Sequence, residues 1–348
     1  MRLTSRGFVA GLTLLLAAGC ADSIVGTNSV ADHGTVFDDL WHQVDLHYSY
    51  FDLKHIDWDS LGAHYRPIAL AATTDAQFAT VLSQLLSELH DVHVSLTPLG
   101  ATTTMRYISH AEAAPTFHDE RRTMARYVTS TDSTPDGELV YGYVAPTVGY
   151  VRIASFQGDG WAGDMDAVVR ALGNANALIV DVRDNGGGNY LLAADVAGRF
   201  ADRKRTYGYV RRRNGPAHAD FTADMAETIE PKGTHFAGRV IVLTNRHVFS
   251  SGEDFVLAMR TIPATTVVGD TTGGASGGPI TRELPNGWSF QLSEWIEYTP
   301  DHATFEGVGL APDIVVKATA ADATRGVDAA LERAVALAST AVNSAAIK

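Results

Sequence analysis

The stretch NRHVFSSGEDF, residues 245–255, contains a serine that could act as a nucleophile. Ser250 follows the apolar run RVIVLT, which predicts a strand, and precedes GEDFVLAMR, which predicts an amphipathic helix. A serine at such a junction can be presented to a substrate at the edge of a sheet. However, Ser250 and Glu253 also form the S-x-x-E pattern of a helix capping box, and the stretch on its own favours that interpretation.

Two glycine-rich loops could share a cleft with this serine. Gly186, Gly187 and Gly188 lie in DVRDNGGGN, after one predicted strand, and VVGDTTGGASGG follows another. Consecutive glycines leave backbone N–H groups accessible, so such a loop can bind an anion or a developing oxyanion. Neither loop has a G-x-G-x-x-G or phosphate-loop pattern. Because loops after parallel strands meet at one edge of a sheet, we expect all three near each other.

These segments resemble those of peptidase family S41, which includes the C-terminal processing proteases and the tricorn core. Two further segments share the resemblance, ELHDVHVSL at 88–96 and EGVGLAPDIVV at 306–316. The similarity runs in consistent order over about 36–316. It implies an α/β fold, with a crotonase/ClpP-like βαβ catalytic domain and an N-terminal helical subdomain. It also implies a serine endopeptidase that hydrolyses peptide bonds of unfolded proteins or peptides.

The resemblance offers two catalytic designs, and the sequence favours one of them. The processing proteases pair the serine with a lysine, but no lysine stands between Lys232 and Lys317. The tricorn-like design uses a histidine and a glutamate, and His93 and Glu306 match those positions. Val92 replaces the glycine or serine that usually precedes this histidine. The pattern therefore favours a Ser-His-Glu arrangement.

The resemblance also assigns a role to each candidate residue. Ser250 would attack the peptide carbonyl and His93 would accept its proton. Glu306 would orient His93, either directly or through another side chain. The N–H groups of Gly187 and Ser251 would bind the oxyanion.

Several alternatives remain open at this point. His90 and His247 compete with His93 as the base, and Ser251 competes with Ser250 as the nucleophile. A catalytically silent relative that binds a hydrophobic ligand or a peptide in the same cleft is the alternative function. Thirteen histidines are present without an H-E-x-x-H or H-x-x-x-H pattern, so we expect neither a metal nor another cofactor.

The composition argues against a nucleic-acid partner. Lysine and arginine number 27 against 40 aspartates and glutamates, which gives a net charge of −13. A nucleic-acid-binding surface needs a basic patch. The short basic run at 203–213 is interpreted as solvated surface.

Hydrophobic periodicity predicts the elements that position these residues. Apolar residues spaced by three or four predict helices between 36 and 88, and alternating strands and helices from 139 onwards predict βαβ units. Asn286-Gly287 predicts a hairpin, and the alanine-rich tail predicts a closing helix. We expect a helical subdomain at 35–92, connecting strands or a lid at 93–138, and the catalytic domain at 139–348.

The first 34 residues predict export and anchoring. A basic start, an apolar run and LAAGC resemble a bacterial lipoprotein signal at 1–19, with Cys20, the single cysteine, as the lipid acceptor. Residues 20–34 are small and polar and predict a tether. A lipid-anchored protein of the cell envelope is the resulting expectation, in the periplasm or on the outer face, with the oligomeric state left open.

Overall fold

The computed structural model describes residues 31–158 and 160–340. The predicted signal peptide, Cys20 and most of the predicted tether lie outside these residues. Within them, no helix combines the length and the apolar character that a membrane span requires.

A seven-stranded sheet forms the centre of the fold. Its strand order is β14-β10-β9-β6-β5-β4-β3, in which the first five strands are parallel and the last two pair antiparallel. The strands are β3 Thr129–Ser133, β4 Leu139–Ala145, β5 Val148–Ile153, β6 Ala177–Asp181, β9 Arg239–Thr244, β10 Thr265–Gly269 and β14 Ile314–Val315.

Helices cover both faces of this sheet, which explains why β6 and β9 are buried almost throughout and mostly apolar. One face carries α7 Asp164–Ala171, α8 Tyr190–Ala197 and α9 Ser251–Arg260, and the other carries α11 Ala329–Ser339. Successive residues of β6 show the alternation, since Leu178 and Val180 pack with the first group and Ile179 packs with α11.

The N-terminal helices build a second hydrophobic core together with strands from the C-terminal half. They are α1 His33–His47, α2 Phe51–Lys54, α3 Trp58–Leu70 and α4 Asp75–Ser87. Phe37, Leu82 and Trp58 pack here with Phe290 and Leu292 of the hairpin at 279–293. Residues on both sides of the predicted domain boundaries therefore share this core, and the boundaries themselves remain predictions.

Two smaller sheets, three short helices and a 3-10 turn complete the described chain. One sheet has the order β11-β12-β1-β2 and the other β13-β7-β8, and both are antiparallel. Their strands are β1 Ser95–Thr97, β2 Met105–Arg106, β7 Arg205–Arg212, β8 Met225–Ile229, β11 Pro279–Glu283, β12 Ser289–Ser293 and β13 Trp295–Tyr298. The remaining helices are α5 His110–Ala113, α6 Glu120–Tyr127 and α10 Ala320–Arg325, and a 3-10 turn spans Trp161–Gly163.

The α/β class, the N-terminal helices, the βαβ units, the hairpin and the closing helix are confirmed. The interpretation of 203–213 as solvated surface is wrong for part of the run. Arg213 is buried, and its guanidinium donates to the carbonyls of Tyr48 and Asp45. An arginine that satisfies buried carbonyls across a tertiary contact carries no local signature that separates it from a surface arginine.

Candidate active site

Ser250 occupies the sharp turn between β9 and α9. Its backbone has φ 52° and ψ −130°, a conformation that costs an L-residue on the order of 1–3 kcal/mol. Gly187 makes this turn possible, because a Cβ at Gly187 would lie 2.7 Å from the Ser250 Cβ. The strand-to-helix turn therefore packs directly against the backbone of the glycine loop after β6, with no room for a side chain at Gly187.

Glu253 ties this turn to the loop after β10. Its fully buried carboxylate accepts the Ser250 N–H at 3.2 Å, the Gly274 N–H at 2.9 Å and the Ala275 N–H at 2.8 Å, and it also accepts the Thr272 hydroxyl. Burial raises the pKa of Glu253 to about 7, although these hydrogen bonds oppose the rise. The glutamate of the S-x-x-E pattern thus braces two loops as well as one helix end.

The two predicted oxyanion donors differ in availability. The Ser251 N–H lies in the first turn of α9, where an amide has no partner within the helix. The Gly187 N–H instead donates to Asn185 Oδ1 at 2.9 Å. Gly187 can serve an oxyanion only by sharing or breaking that bond, so Ser251 is the better-placed donor.

His93 lies between α4 and β1, half-buried beside Asp91. Its backbone N–H donates to Asp91 Oδ1 at 2.8 Å, and its ring Nδ1 lies 3.8 Å from the same oxygen with no hydrogen-bond partner among the described residues. Burial lowers the pKa of the imidazole below its ordinary value, and Lys54 contributes in the same direction, whereas Asp91 and the Ser276 backbone oppose it. The ring is therefore neutral at pH 7.

Glu306 contacts neighbours of His93 and not the ring itself. Its Oε2 accepts the Ser276 N–H at 2.9 Å and the Ser276 hydroxyl at 3.2 Å, and its Oε1 pairs with Lys54 Nζ at 2.8 Å. Burial and the nearby Asp91 raise the pKa of this carboxyl, against the effect of Lys54. The route through another side chain, left open by the sequence, is the one that this geometry supports.

The loop after β10 brings the three candidates into one neighbourhood. The Ala275 carbonyl accepts the Ser250 N–H at 3.1 Å, while the next residue, Ser276, binds Glu306 and influences His93. In the part of the chain that the structure describes, no hydrogen bond joins the Ser250 hydroxyl to the His93 ring. Ser250, His93 and Glu306 therefore contact the same loop, but hydrogen bonds do not connect the three side chains in series.

The competing residues are occupied elsewhere. The Ser251 hydroxyl is buried and donates to the Gly188 carbonyl at 2.7 Å. His247 lies 3.4 Å from Asp184 Oδ1 and contacts the Ala114 carbonyl, and the exposed His90 packs against Tyr107. Their engagement favours Ser250 and His93 over these alternatives.

Sequence reasoning missed the residues that connect the site to the N-terminal helices. Lys54 of α2 pairs with Glu306, and the Tyr50 hydroxyl lies 2.9 Å from the Ser276 hydroxyl. Asp91 supplies the carboxylate nearest to the His93 ring among the contacts described above. Asp91 stands in the quoted ELHDVHVSL segment and could have been noticed, whereas YSYFDLKH, with Tyr50 and Lys54, carries no motif that relates it to residues 276 and 306.

A cleft of about 250 Å³ opens beside Ser250. Its lining includes Ser251, Gly188 and the aromatic rings of Tyr190 and Trp295. Across residues 31–158 and 160–340, no group of three or more histidine, cysteine, aspartate or glutamate side chains is arranged to hold a metal. The chemistry available at this cleft is a serine hydroxyl beside a helix N-terminus. The His93 ring does not line the cleft and lies beside the backbone of Ser276, which follows the lining residue Ala275.

Comparisons with known proteins identify the family of the chain. The model of peptidase family S41 matches residues 147–316, and that of the tricorn protease C1 domain matches residues 29–87. The crystal structure of a putative peptidase from Parabacteroides merdae is 32% identical, with a TM-score of 0.81, and the match covers 90% of this chain and 99% of that one.

More distant relatives share parts of the chain or only its fold. The chloroplastic carboxyl-terminal-processing peptidase 2 of Arabidopsis thaliana is 25% identical over 173 residues, which is 49% of this chain but about a third (32%) of the relative's length. Mature CPAF, at 12% identity with a TM-score of 0.67, covers 88% of this chain and 98% of its own, and shows the fold alone. Fold, segment order and the relative at 32% identity together place the chain in peptidase family S41.

Proposed function

We propose that this protein is a serine-type endopeptidase in which Ser250 is the nucleophile. The observation that carries the proposal is the strained backbone of Ser250 at the strand-to-helix turn, beside a cleft and against Gly187. A serine needed only as a helix cap takes an ordinary extended conformation, as Thr319 does before α10 with φ −120° and ψ 158°. Stored strain of this kind is typical of functional sites.

His93 is the general base of the proposed reaction. The neutral ring takes the proton of the Ser250 hydroxyl as the oxygen bonds to the peptide carbonyl carbon. The same proton then passes to the leaving amine, and water repeats the sequence to release the acyl group. Because no hydrogen bond joins the two residues in this structure, substrate binding must bring the hydroxyl and the ring together, as is common in substrate-free enzymes.

Glu306 acts through Ser276 and Lys54 in this scheme. Its carboxylate holds the loop that carries Ser276 beside the His93 ring, and it fixes that loop to α2. The developing oxyanion is bound by the Ser251 N–H at the positive end of α9, with Gly187 as the second donor once it leaves Asn185.

The alternative function, a silent module for a hydrophobic ligand, has less support. Such a ligand needs a largely apolar cavity. The cleft beside Ser250 instead contains the carboxyl groups of Asp254 and Glu297. A silent module would also have no need for the strained Ser250 backbone.

Labelling with a fluorophosphonate probe tests the catalytic assignment. We expect the wild type and Ser251→Ala to be labelled and to cleave an unfolded protein substrate. We expect Ser250→Ala to be unlabelled and inactive, with His93→Ala slowed by about a thousandfold or more. Peptidase activity retained in Ser250→Ala would exclude this nucleophile, and a folded but unreactive wild type would favour the binding module.

We also propose that the substrates are unfolded proteins or peptides and that the enzyme is held in the bacterial cell envelope by a lipid on Cys20. The signal-like segment before Cys20 supports the anchor. Wild type is expected in the detergent phase of a membrane fractionation, and Cys20→Ala in the aqueous phase. Identical partitioning of the two proteins would contradict lipidation.

A further inference from the structure

The cleft beside Ser250 contains two acidic side chains that the proposed reaction does not use. Asp254 lies one turn after Ser250 on α9, and Glu297 lies on β13 two residues after Trp295, so the two β13 side chains share a face. Asp254 is 7% exposed and Glu297 is 4% exposed. Both line the cleft although they are almost completely removed from solvent.

These carboxyl groups lack the cationic partners that buried acids normally have. Glu297 Oε1 is buried with no hydrogen-bond partner, and so is Oε2 of Glu227, a third acid nearby. No lysine or arginine of the described residues forms an ion pair with any of the three. Burial raises the pKa of Asp254 and of Glu297, whose carboxyl groups are hydrogen-bonded to each other.

Buried acids without a cation are unfavourable unless something else completes the site. Arg212 stacks on Trp295, 4.1 Å from the ring centroid, and donates to Glu294. It lowers the pKa of Glu227 but forms no ion pair with Asp254 or Glu297. A metal would need additional ligands, and the described residues offer no such group. One proton shared by Asp254 and Glu297 leaves a single negative charge, which matches a single cationic group.

The cleft walls suit the side chain of a basic amino acid. Tyr190 and Trp295 meet edge to face, with ring centroids 6.0 Å apart, and both line the cleft. Aromatic rings attract guanidinium and ammonium groups and also cover an aliphatic stem. Gly277 and Gly278 also line the cleft, and Gly278 lies against the Trp295 ring, where a Cβ would be 2.1 Å from the ring carbons.

We propose that this cleft is a specificity pocket in which Asp254 and Glu297 bind the lysine or arginine side chain of the residue whose carbonyl Ser250 attacks. The assignment of that residue follows from the lining, because Ser250, Ser251 and Gly188 belong to the same cleft. The inference rests on the proposed peptidase function and adds a substrate class to it. Cleavage is then expected on the carboxyl side of lysine and arginine.

The test compares peptides that differ only in arginine or citrulline before the cleaved bond. Citrulline keeps the shape of arginine and lacks its charge. Wild type should cleave the arginine peptide with at least a tenfold higher kcat/KM. Glu297→Gln and Asp254→Asn should lower that ratio at least tenfold, because the arginine side chain loses a charged partner and the neutral citrulline side chain does not. Equal kcat/KM values of the wild type for the arginine and the citrulline peptide would contradict the proposed specificity pocket.

Glu294→Gln is the matched control. Glu294 neighbours the same tryptophan but lies outside the cleft lining and pairs with Arg212. Its variant should keep the wild-type arginine preference. A loss of preference in Glu294→Gln equal to that in Glu297→Gln would show a general charge effect and would also overturn the pocket.

A binding measurement separates this inference from the proposed function. Ser250→Ala should bind the arginine peptide at least tenfold more tightly than the citrulline peptide by calorimetry, whether or not the wild type cleaves either. Tighter binding of arginine by an inactive protein would support the pocket while the peptidase proposal fails. Equal binding of the two peptides by Ser250→Ala would overturn the pocket while leaving a peptidase of other specificity.

Discussion

At the scale of single residues, Lys54 and Asp91 have opposite effects on the protonation of their neighbours Glu306 and His93. Lys54 stabilises the ionised form of Glu306 and the neutral form of His93, because a positive charge favours a carboxylate and disfavours an imidazolium. Asp91 has the opposite effect on both groups. The protonation state of the proposed base is therefore set by a small set of neighbours as well as by burial.

The pH dependence of cleavage follows from this balance. A base must be neutral to accept a proton, and the pKa of His93 lies below its ordinary value of 6.5. As the pH is lowered, wild-type kcat/KM should therefore remain constant to a pH below 6.5 and fall only when the His93 ring becomes protonated. Lys54→Met removes a charge that lowers the pKa of His93, so its acid limb should move to higher pH.

Lys232→Met is the control for this experiment, since Lys232 pairs with Asp195 on the surface. It should leave the pH profile where it is in the wild type. An acid limb that moves to lower pH in Lys54→Met, or that shifts equally in both variants, would contradict the role assigned to Lys54.

At the scale of elements, α9 organises the site through its first turn. Ser250 and Ser251 begin the helix, Glu253 braces the loop after β10 and Asp254 enters the cleft. A single helix start thus supplies four groups of the proposed mechanism: the nucleophile, an oxyanion donor, a positioning carboxylate and a specificity carboxylate. The parallel strands β6, β9 and β10 place the three loops side by side.

Removing the brace should affect catalysis more than folding. Glu253→Gln places an amide where the carboxylate accepts several N–H groups, and each buried N–H left unsatisfied costs about 1–3 kcal/mol. We expect kcat to fall about tenfold or more, as the loop that carries Ser276 loosens, with KM changing less. Steady-state kinetics on a peptide substrate measures this split.

A second capping box on the surface provides the control. Asp322 holds the N–H of Thr319 at the start of α10 in the same way, but α10 does not line the cleft. Asp322→Asn should lose a similar cap and keep the wild-type kcat. Equal losses of kcat in the two variants would show that Glu253 acts only through helix stability.

The sequence predicts features that depend on neighbouring residues and does not predict contacts between residues that are far apart in the chain. Strands β6 and β9 and the turn at Ser250 were predictable because their signals are local runs and motifs. The ion pair between Lys54 and Glu306 joins residues 252 positions apart, and no sequence motif around either residue predicts it. Glu297 was missed for the same reason, since its neighbour Asp254 comes from another element.

At the scale of the whole molecule, the buried carboxyl groups make stability depend on pH. Burial raises the pKa of Glu253 to about 7 and that of Glu227 to about 8, and it also raises those of Glu297 and Glu306. Folding then takes up protons at neutral pH. Each such group contributes stability that is present below its unfolded pKa and is lost as the pH rises through its folded pKa.

Urea unfolding should therefore give a lower free energy of unfolding at pH 8 than at pH 5, despite the opposite contribution of His93. Each proton taken up on folding changes stability by about 1.4 kcal/mol per pH unit. Glu297→Gln removes one of these protons, so it should stabilise the protein at pH 8 by about 1 kcal/mol or more and have little effect at pH 5. Wild type that is more stable at pH 8 than at pH 5 would contradict this account.

The ion pair between Lys54 and Glu306 joins an early part of the chain to a late part, so it can form only near the end of synthesis. Residues of the proposed site come from both ends of the described chain, with His93 and Lys54 made early and Ser250 and Glu306 made late. A partly synthesised chain holds a helical region without a nucleophile, and N-terminal segments fold first. The proposed site is therefore complete only when nearly all of the described chain has been made, and a partly synthesised chain lacks the proposed nucleophile.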